Sequence, residues 1–350
     1  MASKLKNVMI AGLMVGSAAV AVAQQAAPAS TAPAKPFAAP GTKGSPINGE
    51  TFHAQVLLDV AGFPAGVIDG KKGMSFGQAI KGFQSAKGLT VNGTLDGPTR
   101  TALLAQNRAS TVMVKLSAEQ VAGPFINPIP KDTAEKAKLP GLYYRNMLEK
   151  LAEEYHTTPE AIIALNGADA MIGAGQTLRL PNVAPASRDY GNSAKGDVVG
   201  LMNLLNVAAG DIAGTSIVVD KSEGVLKVMG DGDKIVAQFP VTMGSSHDPL
   251  PIGEWKVTTY AFLPPFHYQP NLFWDAKDKG ADDQMLKPGP NGPVGVAWLD
   301  LNKEHYGIHG TPSPETIGRA ESHGCIRMTN WDVLRLSHML KPGFKAVFQA

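Results

Sequence analysis

Two short stretches near the end of the chain are the most informative part of the sequence: YGIHGTP at residues 306–312 and SHGCIR at residues 322–327. The second contains Cys325, the only cysteine among 350 residues. It stands two residues after His323 and sixteen after His309. A thiol with an ordinary pKa of about 8.5 is mostly protonated at neutral pH, and an imidazole can lower that pKa and accept the proton during attack. A cysteine with histidines at these spacings therefore predicts acyl transfer.

The residues beside Cys325 suit the same chemistry. Gly324 leaves the backbone open, so the amides of Gly324 and Cys325 can hydrogen-bond an oxyanion. The planar guanidinium of Arg327 suits a carboxylate on the substrate.

Three other interpretations of these residues stay open. A free cysteine is often a small buried hydrophobe, and Arg327 can belong to a structural ion pair. A zinc site has four candidate ligands: His305, His309, His323 and Cys325. The segment has glycines and prolines and no His-Glu-x-x-His helix, which argues against zinc.

The composition limits the class of protein. Lysines and arginines number 32 against 30 acidic residues, so a net charge of +2 gives no strong field toward nucleic acid or a membrane surface. A single cysteine excludes an internal disulfide and any site that needs two thiolates. At roughly 100–200 residues per domain, the length predicts two or three domains.

The N-terminus is typical of an exported protein. Two lysines precede an apolar run at residues 8–20, and Ala21-Val22-Ala23 supplies small residues for a signal peptidase. The run is shorter than the ~20 apolar residues that span a bilayer. We predict a cleaved signal peptide at residues 1–23 and an Ala- and Pro-rich linker at residues 24–46. The mature chain is then expected in the periplasm or cell envelope.

A small helical domain is predicted at residues 47–105. From Phe76, apolar residues recur at i, i+3, i+4 and i+7, which indicates a helix with one apolar face. Ser75 to Gln78 has the form of a capping box at the start of that helix. Asp96 with the proline that follows predicts the start of another short helix.

The remaining chain divides into four parts. Residues 106–140 are predicted to be an extended connector. Residues 141–183 combine a weak strand around Leu142, two helices and a closing strand, which indicates a small α+β unit. Residues 184–213 are predicted to be a second linker. Residues 214–350 are rich in β-branched residues separated by turns, so they are predicted to be mostly β with a helix after Cys325.

The two stretches around His309 and Cys325 resemble the signature of the L,D-transpeptidase catalytic domain. Met243-Gly244, Pro251-Ile252-Gly253-Glu254-Trp255 and Tyr306-Gly307-Ile308 fit the same family pattern. The resemblance implies a mostly β domain that cleaves the bond between the L-centre of the third stem-peptide residue and D-alanine. The acyl group then passes from a cysteine thioester to an amine, usually that of diaminopimelate on a neighbouring stem.

The resemblance also implies a role for each motif residue. Cys325 is the nucleophile and His309 the general base, and the backbone carbonyl of Gly310 orients the imidazole. The oxyanion site is framed by His323 and Gly324, and the substrate-binding residues are Arg327, Ser322 and Tyr306. No metal and no cofactor is implied. Residues 264–283 match the substrate-facing region of the family only loosely, so the motif does not fix the acceptor.

The units before the catalytic domain resemble wall-binding modules. Ile68-Asp69-Gly70, Gly88-Leu89 and Asn92-Gly93 are similar to residues of the three-helix peptidoglycan-binding module. The unit at residues 141–183 looks like a LysM module, which binds glycans that contain N-acetylglucosamine. The implied fold is multidomain: a mostly β L,D-transpeptidase domain at the C-terminus, preceded by a small α-helical peptidoglycan-binding domain and a small α+β LysM-like segment.

The expected function is that of a peptidoglycan L,D-transpeptidase, with stem peptides and glycan strands as partners and carbapenem β-lactams as covalent inhibitors. No nucleic acid partner is expected. Two alternatives use the same acyl-enzyme: an L,D-carboxypeptidase, in which water resolves it, and a transferase that attaches an outer-membrane lipoprotein to peptidoglycan. A third belongs to another class, a non-catalytic peptidoglycan-binding protein that retains the motif for structure.

Overall fold

The computed structural model describes residues 47–191, 196–209, 214–319, 322 and 324–350. The predicted signal peptide and the linker that follows it lie outside the described residues. Within the described part of the chain, no helix is long and apolar enough to cross a membrane.

The first unit consists of helices packed around a small apolar core. They are α1 (Gly49–Val60), α2 (Met74–Ala86) and α3 (Gly97–Leu104). The Asp96 side chain caps α3 by accepting a hydrogen bond from the Thr99 N–H at 2.9 Å, as the sequence predicts. The apolar face of α2 is confirmed, and its core-facing residues are buried: Phe76, Ala79, Ile80 and Phe83.

The predicted capping box on α2 is wrong. The helix begins at Met74, with Gly73 as its N-cap and no side-chain hydrogen bond to the first turn. Ser75 therefore lies inside the helix rather than at its cap.

The second unit has a strand, helix, helix, strand arrangement with additional short helices. Its elements are β1 (Thr111–Lys115), α4 (Ala118–Val121), α5 (Thr133–Ala137), α6 (Met147–Glu154), α7 (Pro159–Asn166) and β2 (Thr177–Pro181). Strands β1 and β2 pair antiparallel along their whole length. Thr158 caps α7 by accepting from the Ala161 N–H at 3.2 Å, so the predicted start of this helix is confirmed.

The opening strand predicted around Leu142 is wrong. Leu142 donates its N–H to the Pro288 carbonyl at 3.0 Å and accepts from the Asn291 N–H at 2.9 Å. Its backbone groups are thus used by a loop of the C-terminal domain, and β1 takes the place opposite β2. The stretch 106–140, predicted to be an extended connector, consequently contains a strand of the second unit.

The C-terminal domain is built on one large sheet. Its elements are α8 (Gly196–Leu204), β3 (Ser216–Asp220), β4 (Val225–Met229), β5 (Ile235–Pro240), β6 (Thr242–Met243), β7 (Gly253–Phe262), β8 (Phe266–Tyr268), β9 (Gln284–Leu286), β10 (Ala297–Leu301), β11 (Gly307–His309), β12 (Ile326–Arg327), α9 (Asn330–Met339) and β13 (Lys345–Gln349). The sheet order is β5-β4-β3-β13-β7-β10-β11-β12-β6, and β8 pairs separately with β9. The predicted mostly β character is confirmed.

Residues 184–213 do not form a linker where they are described. They contain α8, and Tyr190, Leu205 and Val207 are buried in the apolar core of the C-terminal domain. The apolar residues of this stretch are too numerous for a solvated linker, and burying them stabilises the domain.

Helix α9 lies where the three units meet. Thr329 caps it by accepting from the Asp332 N–H at 3.1 Å, which confirms the predicted cap. Its Trp331 is fully buried and stacks on the His156 ring of the second unit, with centroids 4.9 Å apart. Its Arg335 reaches Asp59 of α1, with Nη2 and Oδ2 3.3 Å apart. The helical and α+β units therefore pack directly on the C-terminal domain.

Candidate active site

Two neighbouring strands bring the motif residues together. Strands β11 and β12 are parallel, and Ile308 lies beside Ile326 while His309 lies beside Arg327. Both isoleucines are fully buried in the core. Because side chains alternate along a strand, His309 and Arg327 face the opposite side of the sheet, together with Cys325. The sheet thus collects the thiol, the imidazole and the guanidinium on one face.

The His309 ring is held in one orientation. Its Nδ1 lies 2.7 Å from the Gly310 carbonyl oxygen, so Nδ1 carries the hydrogen and Nε2 is left as the basic nitrogen. The ring stacks on Trp298, with centroids 5.4 Å apart and planes at 18°. Burial and the charge of Arg327 lower the pKa of His309 to about 4. The imidazole is therefore neutral at neutral pH and can accept a proton.

The Cys325 thiol is half-buried beside the start of β11. Its Sγ is 3.6 Å from the His305 carbonyl oxygen, and the Gly307 backbone N–H also faces it. Burial raises the pKa of Cys325, although Gly307 and the charge of Arg327 oppose the shift. The expectation that a histidine lowers this pKa does not describe the resting site, where the sulfur is a protonated thiol.

The turn before Cys325 is shaped by glycine and serine. Gly324 has a φ of 93°, a region that favours glycine, and an added Cβ would lie 2.8 Å from Cε1 of Tyr306. The Ser322 hydroxyl donates to the Cys325 carbonyl oxygen at 2.6 Å. Ser322 therefore acts on the turn itself, whereas the sequence predicted a contact with substrate. His323 lies outside the described residues.

Tyr306 and Arg327 both lie close enough to Cys325 for its charge to affect their pKa values. Lys303 places its Nζ 4.9 Å from the centre of the Tyr306 ring. Burial lowers the pKa of Arg327, while the nearby Cys325 and Asp275 favour its charged form. An arginine held at the edge of this site can bind a carboxylate with two parallel hydrogen bonds.

The residues proposed for zinc do not converge in the described part of the chain. The His305 side chain is 58% exposed and its Nε2 lies 3.5 Å from Glu304. Among the described residues, no three His, Cys, Asp or Glu side chains form a group that could hold a metal ion.

Three features near the site were not predicted from the sequence. Trp298 supplies the stacking surface for His309. Asp248 acts electrostatically on both Cys325 and Tyr306, raising the pKa of each after the larger effect of burial. The third is a stacked pair, His247 and Trp274, with ring centroids 4.1 Å apart. The sequence signal for the last two features is the polar run of four residues after Met243-Gly244, Ser-Ser-His-Asp at residues 245–248.

Two family models match the sequence. Residues 214–348 match the L,D-transpeptidase catalytic domain, and residues 49–103 match a putative peptidoglycan binding domain.

Individual proteins are also similar to this chain. The chain is 30% identical over 201 residues to the putative L,D-transpeptidase YkuD of Bacillus licheniformis, covering 56% of this chain and 89% of that protein. It is 56% identical over 54 residues to YkuD of Bacillus subtilis, covering 15% of this chain and 33% of that protein. A solved L,D-transpeptidase from Mycobacterium smegmatis is 20% identical with a TM-score of 0.31, over 39% of this chain and 59% of that one.

Proposed function

The chain belongs to the L,D-transpeptidase family, and on this premise we propose that it cross-links peptidoglycan stem peptides through an acyl-enzyme on Cys325. The observation that carries the proposal is the shared face of β11 and β12, which carries Cys325 and an imidazole whose Nδ1 is fixed by the Gly310 carbonyl. That arrangement fits a general base acting on a protonated thiol.

The first half-reaction forms the thioester. His309 Nε2 takes the thiol proton as Sγ attacks the carbonyl carbon of the L-centre. The amides of Gly324 and Cys325 are offered to the oxygen that becomes negative. The tetrahedral intermediate then loses the amine of D-alanine, which leaves with the proton from the imidazolium. Ser322 supports this step by holding the turn at Cys325 through its hydrogen bond to the Cys325 carbonyl oxygen.

The second half-reaction releases the enzyme. An acceptor amine attacks the thioester carbonyl while His309 accepts its proton, and the thiolate leaves and regains a proton from the imidazolium. Arg327 is proposed to bind a carboxylate of the stem peptide. Tyr306 is proposed to border the same peptide from the other side of the thiol.

Asp248 supports an amine rather than water as the acceptor. Its Oδ2 is buried and has no hydrogen-bond partner among the described residues. The loop holds it in place, because the Ser245 hydroxyl accepts from the Asp248 N–H at 3.0 Å. A carboxylate that acts on Cys325 favours a cationic group nearby, and an amine acceptor arrives as an ammonium ion.

A groove supports the attachment to the wall. Its volume is about 480 Å³, and it is lined by Lys81 and Asn92 of the helical unit and by Lys221 and Gly244 of the catalytic domain. Strand β6 pairs antiparallel with β12, so the register extends to place Gly244 beside Cys325. The groove therefore leads from the peptidoglycan-binding domain toward the nucleophile. We propose that it holds the donor strand, whose stem carboxylates suit the two lysines.

The decisive experiment combines one substrate with two variants. Purified enzyme is incubated with disaccharide tetrapeptide, and mass spectrometry follows the cross-linked dimer and released D-alanine. Transpeptidation predicts both products, whereas a carboxypeptidase releases D-alanine without dimer. Asp248→Asn should raise the ratio of hydrolysis to dimer. A wild-type enzyme that forms neither product would favour the non-catalytic alternative.

Three further parts of the proposal have their own tests. A lipoprotein acceptor is tested by adding a lysine-ended peptide, which should appear linked to the tripeptide if its amine is accepted. Carbapenems should add covalently to Cys325, as intact-mass measurement would show. Export to the periplasm or cell envelope, and removal of residues 1–23, are tested by fractionation and N-terminal sequencing. The LysM-like unit is tested by glycan binding.

A further inference from the structure

Helix α6 of the second unit reaches the residues that hold His309. We propose that Asn330, oriented by Glu153, is a positioning residue for the His309 imidazole. The α+β unit is then part of the catalytic architecture. The inference rests on the proposed function for its kinetic test and has a spectroscopic test that does not.

The catalytic side of this contact is tightly packed. Gly310, whose carbonyl accepts from His309 Nδ1, lies so close to Asn330 that an added Cβ would be 2.2 Å from the amide oxygen Oδ1. A Cβ added at Gly295 would lie 2.0 Å from the same Oδ1 atom. Asn330 Oδ1 also accepts from the Val296 N–H at 3.1 Å. The Gly310 peptide, whose carbonyl orients the imidazole, is therefore packed against the Asn330 side-chain amide, which also binds the backbone at residues 295–296.

The other end of that amide is fixed by the second unit. Asn330 Nδ2 donates to both carboxyl oxygens of Glu153, at 2.8 and 3.1 Å, and to the Pro290 carbonyl oxygen at 3.2 Å. Glu153 also accepts from the Tyr144 hydroxyl at 2.9 Å. A flipped amide would point its NH₂ at the Val296 N–H and its oxygen at the carboxyl group. Glu153 thus sets the orientation of the Asn330 side chain.

Burying the Glu153 carboxyl group between two helices has an unfavourable desolvation free energy. Glu153 is 5% exposed, and burial raises its pKa to about 8, with the hydrogen bonds from Tyr144 and Asn330 opposing the shift. An apolar residue would join α6 to α9 without that desolvation. What an apolar residue cannot supply is a hydrogen-bond acceptor that orients the amide.

The next residue of α6 provides a matched control. Glu154 is also buried, 6% exposed, but its carboxyl group accepts from Gln120 at 2.6 Å and does not touch Asn330. The Glu153→Gln variant presents an NH₂ group either to Asn330 or to Tyr144. Glu154→Gln makes the same carboxyl-to-amide change one position away.

The kinetic test compares the two variants at a temperature where both are folded. Glu153→Gln should lower kcat by roughly 10- to 100-fold, because a misplaced catalytic group costs about that much, and should change KM by less than about twofold. Glu154→Gln should leave kcat within about twofold. Equal effects of the two variants, or unchanged kcat in Glu153→Gln, would overturn the proposal.

A reversed pair supplies the rescue. In Glu153→Gln with Asn330→Asp, the glutamine NH₂ can donate to the aspartate while its carbonyl accepts from Tyr144. We expect kcat to recover at least threefold from the value of Glu153→Gln alone. If kcat of the double variant falls by the product of the two single-variant losses, the two side chains act independently, and the proposal is wrong.

The spectroscopic test needs no substrate. The Nδ1–H of His309 should give a protected proton signal in ¹⁵N-labelled enzyme, assigned by its loss in His309→Gln. The signal should weaken or shift in Glu153→Gln and stay in place in Glu154→Gln. An unchanged signal in Glu153→Gln refutes the positioning role, even if the enzyme proves to have another acceptor or another substrate.

Discussion

The face that carries Cys325 and the contact region around α9 both contain buried ionisable residues, but these residues differ in charge and in role. On the first, His309 and Cys325 come from two adjacent strands and are kept neutral by burial. In the second, Asp59 and Arg335 come from opposite ends of the chain and remain charged. Burial opposes the ionisation of Asp59, but Arg335 and His156 lower its pKa to about 2. The neutral groups of His309 and Cys325 can exchange a proton during a reaction. The charged pair of Asp59 and Arg335 instead joins the helical unit to the C-terminal domain.

The Asp59–Arg335 pair and the catalytic face therefore have separate roles. A change on the catalytic face should remove activity and leave the fold, while breaking the Asp59–Arg335 pair should lower stability without changing the residues around Cys325.

Removing the nucleophile should have the largest effect. Cys325→Ala should lower transpeptidation by roughly 10⁴-fold or more, since loss of a nucleophile removes the covalent route. Its melting temperature should stay within about 2 °C of the wild type, because the thiol makes only weak contacts. Dimer formation is followed by mass spectrometry and unfolding by calorimetry. Substantial activity in this variant would rule out the proposed mechanism.

Breaking the buried ion pair should have the largest effect on stability. Arg335→Met leaves the Asp59 carboxylate buried beside His156 alone, and should lower the free energy of unfolding by about 3–5 kcal/mol. Lys345→Met is the control, because it removes an exposed pair with Glu254 at 2.7 Å and should cost at most about 1 kcal/mol. Denaturant titration measures both. Similar losses would show that burial does not distinguish the two pairs.

The pH dependence should separate the base from an ordinary histidine. His309 has a pKa of about 4 in the folded enzyme against 6.5 when unperturbed, so it stays neutral down to about pH 4. Acylation of Cys325 should therefore be flat between about pH 5 and 7 and fall below about pH 4. The unfolded chain binds a proton between these two pKa values and the folded one does not, so stability falls as pH drops through that window. A midpoint near 6.5 would contradict the assignment, and His305→Asn should leave the midpoint unchanged.

The groove should contribute the smallest effect. Reversing both of its lysines, Lys81→Glu with Lys221→Glu, should weaken binding to isolated sacculi by roughly 5- to 20-fold at low salt, since each exposed charge contributes up to ~1 kcal/mol. The effect should shrink as salt rises. Lys87→Glu is the control, because Lys87 directly follows the same helix but places its ammonium over the Phe83 ring; this variant should bind almost normally. Binding that is insensitive to both sets of changes would place the wall contact elsewhere.

The catalytic face could be predicted largely because its residues are neighbours in sequence as well as in space. A strand pair with His309 beside Arg327 follows from two short motifs, and the Gly310 carbonyl is the next residue along. The helix after Cys325 was predictable for the same reason, since its cap and its first turn are local signals.

The contact region could not be predicted, because its residues are related only through the fold. Glu153 and Asn330 are 177 positions apart, and no spacing rule links a glutamate on an amphipathic helix to an asparagine after a cap. Residues 184–213 misled for another reason: glycines and alanines around α8 resemble a linker, and only packing against the sheet shows that Leu205 and Val207 are core residues. The weak strand at Leu142 failed because its backbone partners come from a distant loop.

The burial of Cys325 has a consequence for how the enzyme survives between reactions. Oxidants such as peroxide attack the thiolate, and a cysteine whose pKa is raised by burial presents little of it. The sequence offers no second cysteine to convert a sulfenic acid into an internal disulfide, so recovery of that acid depends on a thiol from another molecule or on a backbone nitrogen, and oxidation beyond it is irreversible. A thiol that stays protonated between reactions is therefore protected from oxidation. Peroxide should inactivate the free enzyme more slowly as pH is lowered from 9 to 6.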